Sequence, residues 1–471
     1  LALGGLVAAG GLAAFLGAKA LMLPLPTISS REPGADGAPA ERSRKGAGIT
    51  SPRAIQTSFI AFSPSDAQPL PGEWTGFRGT NRDGIASETP TLSDLSEGNA
   101  PVLWKVSLGE GHAGPAVWEG RVYVLDYLEL EKADALRCFS LSDGRELWRR
   151  SYPNDLKRNH GFSRTVPAIS AGRVLSLGPA GQAMCVDGRS GELIWFRDVV
   201  AEYEGAPPLW YSGQCPLVDG DTAVIATAGR ALLVGIDMAT GKTLWESPNP
   251  DGWAMSHSSV MRYDLSGTPA YLYAALGGLA CVSAEPERAG ELLFSNHEWQ
   301  VQVIAPSPIL AGSGRLFLTA GYGAGSALFR IDQWGASLIW ARGPSEGLAC
   351  EQQSPIFYRG CLYGVMPKDA GQLNGQLVCQ TADGRILWSS GKESRFGIGP
   401  YLLADGKIYV LDDEGDLYAI EAGDRAYRPL GMASIMGGQG VDAWAPMALA
   451  GTRLLLRDSR TMFCVELGED D

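Results

Sequence analysis

Histidine is scarce in this chain of 471 residues. There are four, His112, His160, His257 and His297, and no pair stands at the spacing of a zinc site. No glycine-rich phosphate loop is present, and no nucleophile, base and orienting acid can be grouped from the sequence. Excess positive charge is also missing. Lys and Arg number 39 against 52 Asp and Glu, a formal net charge of −13, which excludes the basic face that nucleic acid selects. No metal site, no cofactor and no nucleic-acid partner are therefore expected.

Eight cysteines would suggest a disulfide framework, but their placement argues against it. Cys138, Cys185, Cys281, Cys379 and Cys464 each fall at one position of a repeat, within an apolar run. One per repeat unit, they lie farther apart than a disulfide allows and read as small buried hydrophobes. Cys215 opens a strand, while Cys350 and Cys361 fall on either side of one. Disulfides are not expected.

The repeat itself is plainest between Val166 and Asp198, VPAISAGRVLSLGPAGQAMCVDGRSGELIWFRD. Four short apolar runs are separated by Ala-Gly, Pro-Ala-Gly and Asp-Gly-Arg-Ser-Gly turns. Runs this short, with turns this close, are antiparallel strands of a meander. The closing run returns as Gly-Arg-Glu-Leu-Trp148, Gly-Glu-Leu-Ile-Trp195, Gly-Lys-Thr-Leu-Trp245, Gly-Glu-Leu-Leu-Phe294, Gly-Ala-Ser-Leu-Ile-Trp340 and Gly-Arg-Ile-Leu-Trp388. The opening run follows Pro115, Pro167, Pro216, Ser259, Pro308, Pro355, Pro400 and Pro446, at intervals of 43 to 52 residues. Four strands per unit at that period predict an all-β, eight-bladed β-propeller of four-stranded antiparallel blades, with seven blades as the alternative. The unit after Pro446 supplies only three strands. Val102–Leu108, which ends a unit without beginning one, is predicted to complete it and close the ring. The acidic run Asp412–Asp416 falls where the repeat demands a hairpin turn.

Before the propeller, predicted to span residues 72–471, the chain divides in two. Residues 1–26 begin with an uncharged run, LALGGLVAAGGLAAFLGA, interrupted at Lys19 and resumed to Leu23. This is close to the length that spans a bilayer. A cleaved signal peptide competes with a retained transmembrane helix; the retained anchor is the expectation, its many Gly and Ala residues suiting helix–helix contact in the membrane. Residues 27–71 are rich in Pro, Ala, Ser and Gly and are expected to form a tether.

The W-x-x-F-R-G-x-x-x-D-G stretch at Trp74–Gly84, followed by Leu-Trp-Lys at 103–105 and the serial Gly-x-x-Leu-Trp endings, resembles the bacterial pyrroloquinoline-quinone-like repeat propellers. The resemblance covers about Pro71 to Leu467. Its members include quinone-dependent alcohol and sugar dehydrogenases, the propeller lipoprotein of the outer-membrane β-barrel assembly machinery, and many non-catalytic proteins. Alcohol-oxidising members are expected to carry a vicinal Cys-Cys pair over the cofactor and a calcium held by Glu, Asn and Asp. This chain has no Cys-Cys, and its axial loops supply no such ligand set.

In a propeller the segments leading into the innermost strands crowd around the axis. Counting back two or three residues from each aligned proline gives His112, Arg164, Thr165, Gln214, His257, Gln352, Gln353 and Trp444, with Asp442 and Arg395 close by. This polar ring is the candidate site, against the plainer reading of a wet, polar funnel. The expected function is a non-enzymatic scaffold, anchored by its helix in a bacterial inner membrane, with the propeller in the periplasm docked on an integral membrane or periplasmic protein complex. A carbohydrate- or peptide-binding propeller and a quinone-dependent dehydrogenase are the alternatives.

Overall fold

The computed structural model describes residues 56–62, 67–87, 89–440 and 442–468. The expected anchor, and the tether up to residue 55, lie outside the described residues. Among those described, no helix is long and apolar enough to cross a membrane.

The chain forms eight antiparallel blades, each with four repeat strands. The first comprises Ala116–Trp118, Arg121–Leu128, Ala133–Ser140 and Glu146–Pro153. Blades two to seven span residues 168–197, 217–248, 261–296, 309–342, 356–389 and 401–434. The first strand of each blade starts one or two residues after its aligned proline or serine, because proline has no N–H to give to the ladder and sits just outside it. Around the axis the first strand of blade one touches those of blades two and eight, and those of blades two and three and of blades five and six also meet. The eighth blade is Ala448–Ala450, Arg453–Arg457 and Thr461–Glu466, completed by Val102–Ser107. Lys105 pairs with Phe463 and Ser107 with Thr461, so the two ends of the propeller are mixed in one sheet as the repeat arithmetic required.

The Cys–Trp grammar has one geometric meaning. Trp148 pairs with Cys138, Trp195 with Cys185, Phe294 with Cys281, Trp388 with Cys379 and Trp104 with Cys464. At each pair the register shifts by a bulge, which twists the outer strand toward the next blade. There the indole meets the turn glycine of the next repeat: a Cβ on Gly144 would lie 2.7 Å from the Trp104 ring, and one on Gly191 2.7 Å from Trp148. Both glycines have positive φ, so the motif glycine is required by conformation and by space. Trp104, Trp148, Trp195 and Trp388 are buried, whereas Trp245 and Trp340 are only half-buried. The seventh blade has Gly431 at this register, and the backbone of Leu95 and Ser96 fills the space an indole would take.

All eight cysteines are free thiols and buried, each at its core position. Asp412 anchors the expected hairpin turn by accepting from the amides of Glu414 and Asp416 at 3.0 and 2.9 Å.

One element was not anticipated. Ser58–Ala61, within the stretch assigned to the tether, adds antiparallel to the outer edge of the first blade, with Phe59 opposite Arg150 and Ala61 opposite Trp148. The guanidinium of Arg150 sits 4.7 Å from the Phe59 ring and that of Arg149 5.3 Å from Phe62.

Candidate functional site

The axis is closed on one side by the stretch 74–86. Trp74 exchanges backbone hydrogen bonds with Val117 of the first blade, and the Thr75 carbonyl accepts from Ile169 of the second. The segment then crosses to the seventh blade, where Ile85–Ala86 pairs parallel to Leu403–Ala404. Two arginines rise from it into the centre. Arg78 donates to the carbonyls of Ser354, Pro355, Asp83 and Arg82. Arg82 donates to Pro216 at 3.0 Å and to Cys215 and Val260 at 3.3 Å. One segment thus ties together blades three, four and six. Burial lowers both guanidinium pKa values, that of Arg82 to about 10. Their partners are all carbonyl oxygens, so the plug satisfies the backbone of the lead-in segments while holding two desolvated cations. Gly79 makes the turn between them; its φ is 84°, and a Cβ would lie 3.1 Å from the Trp74 ring.

The sequence marked this stretch as a family signature without giving it a role. Two arginines four apart, with Gly79 between them and Gly84 after them in a segment with no strand period, were the available signal. Which distant carbonyls they serve was not.

Above the plug, the sequence-derived ring separates into two groups and some purely structural members. In the first group, the His112 ring stacks on Trp444 with centroids 5.4 Å apart and planes at 26°. Gln353 Nε2 donates to the Trp444 carbonyl at 2.9 Å, and the indole Nε1 of Trp444 donates to Asp413 at 2.7 Å. The Lys368 ammonium lies 5.1 Å from the same ring. In the second group, Trp210 stacks on Tyr322 at 5.6 Å and lies 6.2 Å from His257. Arg164 holds this loop by donating to the carbonyls of Trp210, Asn159 and His160 at 2.6–2.8 Å. Trp210 and Tyr322 come from loops two blades apart, and both have positive φ, 65° and 57°, which is strained backbone for aromatic residues.

Thr165 and Gln214 serve the fold. Thr165 Oγ1 donates to Leu177 O, and the Gln214 amide bonds both the carbonyl and the N–H of Ala226. Gln352 is exposed. Asp442 has a φ of 54° and is exposed, its pKa raised by partial burial. Arg395 turns to Asn374 and Lys392 and does not join either group.

The electrostatics of the mouth are one-sided. Burial, then the Arg164 charge, pushes His257 down to about 3, and burial with Arg164 and Arg457 holds His112 well below its ordinary value. Both imidazoles are neutral near pH 7. Arg457, fully buried, bonds only carbonyls of Ala113, Gly109, Asp458 and Ser459. Among the described residues, His112 Nδ1 and Trp210 Nε1 are buried without partners. Such a mouth can receive hydrogen bonds.

It does not fit a tricarboxylate quinone held with calcium. Asp413 is engaged by Trp444, and Glu110 by Arg158 and Arg460 at 2.7 and 3.1 Å. Among the described residues no cluster of three His, Cys, Asp or Glu could hold a metal ion.

Residues 132–373 match the family model described as outer membrane protein assembly factor BamB. No curated protein sequence matches the chain. Among solved structures, BamB from Moraxella catarrhalis superposes with a TM-score of 0.53 at 12% identity, over 79% of this chain and 99% of that one. A quinohemoprotein alcohol dehydrogenase from Comamonas testosteroni gives 0.59 at 13% identity, over 85% and 81%. At these identities the likeness is one of fold.

Proposed function

Because the chain belongs to the pyrroloquinoline-quinone-like propeller family whose model is described as outer membrane protein assembly factor BamB, we propose that it is a non-catalytic scaffold. In this reading it is an accessory subunit, held at a bacterial inner membrane by its N-terminal apolar segment, whose propeller docks in the periplasm on a membrane or periplasmic protein complex. The observation that carries the reading is the locked axial mouth. Its guanidiniums are spent on backbone carbonyls, its imidazoles are neutral, and stacked aromatics bridge it. What remains is a rigid surface with loops on two faces. Isolation of the full chain in mild detergent should bring down a stoichiometric protein partner. A monomer in detergent, with no stoichiometric crosslink in intact membranes, would overturn the scaffold reading.

A second reading has its own support in the orphaned polar atoms His112 Nδ1 and Trp210 Nε1. Buried donors and acceptors without partners cost stability, and a carbohydrate or peptide group in the mouth would satisfy them. That reading requires a ligand whose affinity falls on His257→Ala or Trp444→Ala.

A further inference from the structure

The strand Ser58–Ala61 makes an exchange that water does not favour. It lies on the outer edge of the first blade, beside Glu146–Pro153. Under it Leu147 is 4% exposed, whereas Leu244, which precedes the outer-strand tryptophan of the third blade in the same way, is 53% exposed on an open edge. In return for that one covered leucine, the strand and the residue after it bring Phe59, Ile60 and Phe62 to the surface, each 40–48% exposed. Among the described residues no further strand pairs with its outer side. An apolar edge strand left open is a hazard in solution.

The apolar row continues onto both neighbouring blades. Toward the second blade, the Phe59 ring lies against Gly191, where a Cβ would fall 2.8 Å from it, and Leu193, two residues on, is exposed. Toward the eighth blade, the Phe62 ring packs on the Arg149 guanidinium. Arg149 and Arg137 share Glu146, and Arg137 donates to the Ser107 carbonyl of Val102–Ser107 at 3.1 Å. On that strand Val102 and Leu103 are exposed, just before the Trp104 that bonds the first blade's Leu141 carbonyl. Three adjacent blades thus present a continuous apolar rim. Elsewhere among the described residues, exposed large apolar side chains stand singly or, in the fifth blade, as the pair Trp334 and Ile339.

We propose that this rim of blades eight, one and two rests on a lipid bilayer at the level of the headgroups. The proposal rests on the reading of residues 1–26 as a membrane anchor, and adds which side of the propeller faces the membrane. The apolar segment precedes Gln56, the first described residue, so the chain comes from the membrane onto this edge. A coil of the length of residues 27–55 spans about 30 Å root-mean-square. It keeps the rim near the surface at millimolar effective concentration, where weak apolar contacts suffice. A strand from a partner or from a second copy can pair with the free edge, but it would cover one blade and leave Leu193, Val102 and Leu103 in water. A deformable surface meets all three blades. Headgroup level also keeps the unpaired N–H and C=O groups of the edge hydrated, which hydrocarbon would not.

The test uses the full chain reconstituted into phosphatidylcholine vesicles, since apolar contact needs no anionic lipid. Ile60→Cys, Leu103→Cys and Leu193→Cys, one at a time, carry an environment-sensitive fluorophore; the eight native thiols are buried. Trp334→Cys and Met432→Cys are the references. The quencher is a lipid with a nitroxide at the headgroup or high on the acyl chain. Rim labels should be quenched at least about twofold more than the references, as side chains seated in the interface are. Leu103 and Leu193 lie outside the added strand, so the measurement stands even if Ile60→Cys loosens it. Phe59→Ser, Ile60→Ser and Phe62→Ser together should abolish the quenching of the Leu193→Cys label while the chain still floats with the vesicles. Equal quenching at rim and reference positions in a chain that floats would overturn the proposal and leave the anchor reading standing. A chain that does not float would overturn both. Rim labels blue-shifted yet untouched by the lipid quencher would assign the rim to a protein strand and overturn the bilayer contact.

Discussion

The indole Nε1 of Trp104 donates to the carbonyl of Leu141 at 2.9 Å. With this bond, and with the Trp104 ring packed where a Cβ on Gly144 would fall, the strand contributed by the N-terminal side locks the eighth blade to the first. Blades two and six repeat the contact, Trp195 bonding Met238 O at 3.0 Å and Trp388 bonding Gly423 O at 2.9 Å.

Ring closure therefore depends on one buried aromatic. Trp104→Ala should cost about 3–5 kcal/mol of stability in denaturant unfolding. Trp334, 82% exposed at a hairpin tip, is the control, and its replacement by Ala should change stability by no more than about 0.5 kcal/mol. Equal effects of the two would refute the closure argument. A chain starting after Leu108 should lose the eighth blade's outer strand and melt well below the intact propeller.

The plug makes a second prediction. Arg82→Ala leaves the carbonyls of Pro216, Cys215 and Val260 without their donor in a dry setting. A loss of about 3 kcal/mol or more is expected, read as a lower melting temperature. Arg82→Lys should restore only part of it, since one ammonium cannot reproduce the fork. Wild-type stability in the Ala variant would show that the axis tolerates an open centre.

Stability should also depend on Asp134. Burial raises its pKa to about 7, with the Asn154 amide and the Tyr152 hydroxyl bonding it and Asp126 nearby. The folded state therefore holds this proton more tightly than the unfolded state. The resulting stabilisation is complete below about pH 4 and is lost as pH rises through about 7, with a span on the order of 4 kcal/mol. Asp134→Asn should remove that loss and make the protein more stable than wild type at pH 8. Chemical denaturation between pH 4 and 8 checks it; a slope unchanged in the Asn variant would exclude Asp134 as the cause.

The two buried imidazoles act with the opposite sign. His112 and His257 are depressed in the folded state, so the unfolded chain takes up their protons first. Stability from these groups is present above about pH 6.5 and falls as the solution is acidified below it. In the Asp134→Asn background stability should rise from pH 4 to about 6.5, and His257→Gln should flatten part of that slope.

The repeat was legible because a propeller writes its fold locally. Pro before the first strand, Gly at the last hairpin and Trp beyond it are each required by turn conformation or by contact with the adjoining unit, so they recur at a fixed period whatever the rest of the sequence does. Even the closure by Val102–Ser107 followed from counting strands. The ring of lead-in residues was also legible as positions, since strand register fixes which residues approach the axis.

What those positions do was settled only by the tertiary structure. Arg78 meets Ser354 and Pro355 across 276 and 277 residues of sequence, and no periodicity links them, because the plug is a single non-repeating segment that serves the backbone of several blades. Gln214 and Thr165 look like site residues in the sequence and are structural, since the carbonyls they satisfy lie on strands whose register only folding sets. Ser247 and Ser390 read as ordinary variations of the repeat, and only beside Arg150, Arg197 and Arg342, each reaching a carbonyl of the next blade, do they mark seams without that bond. Local chemistry determined the blades; contacts between them, made by side chains long enough to cross a seam, decided where the molecule is closed and where it is open.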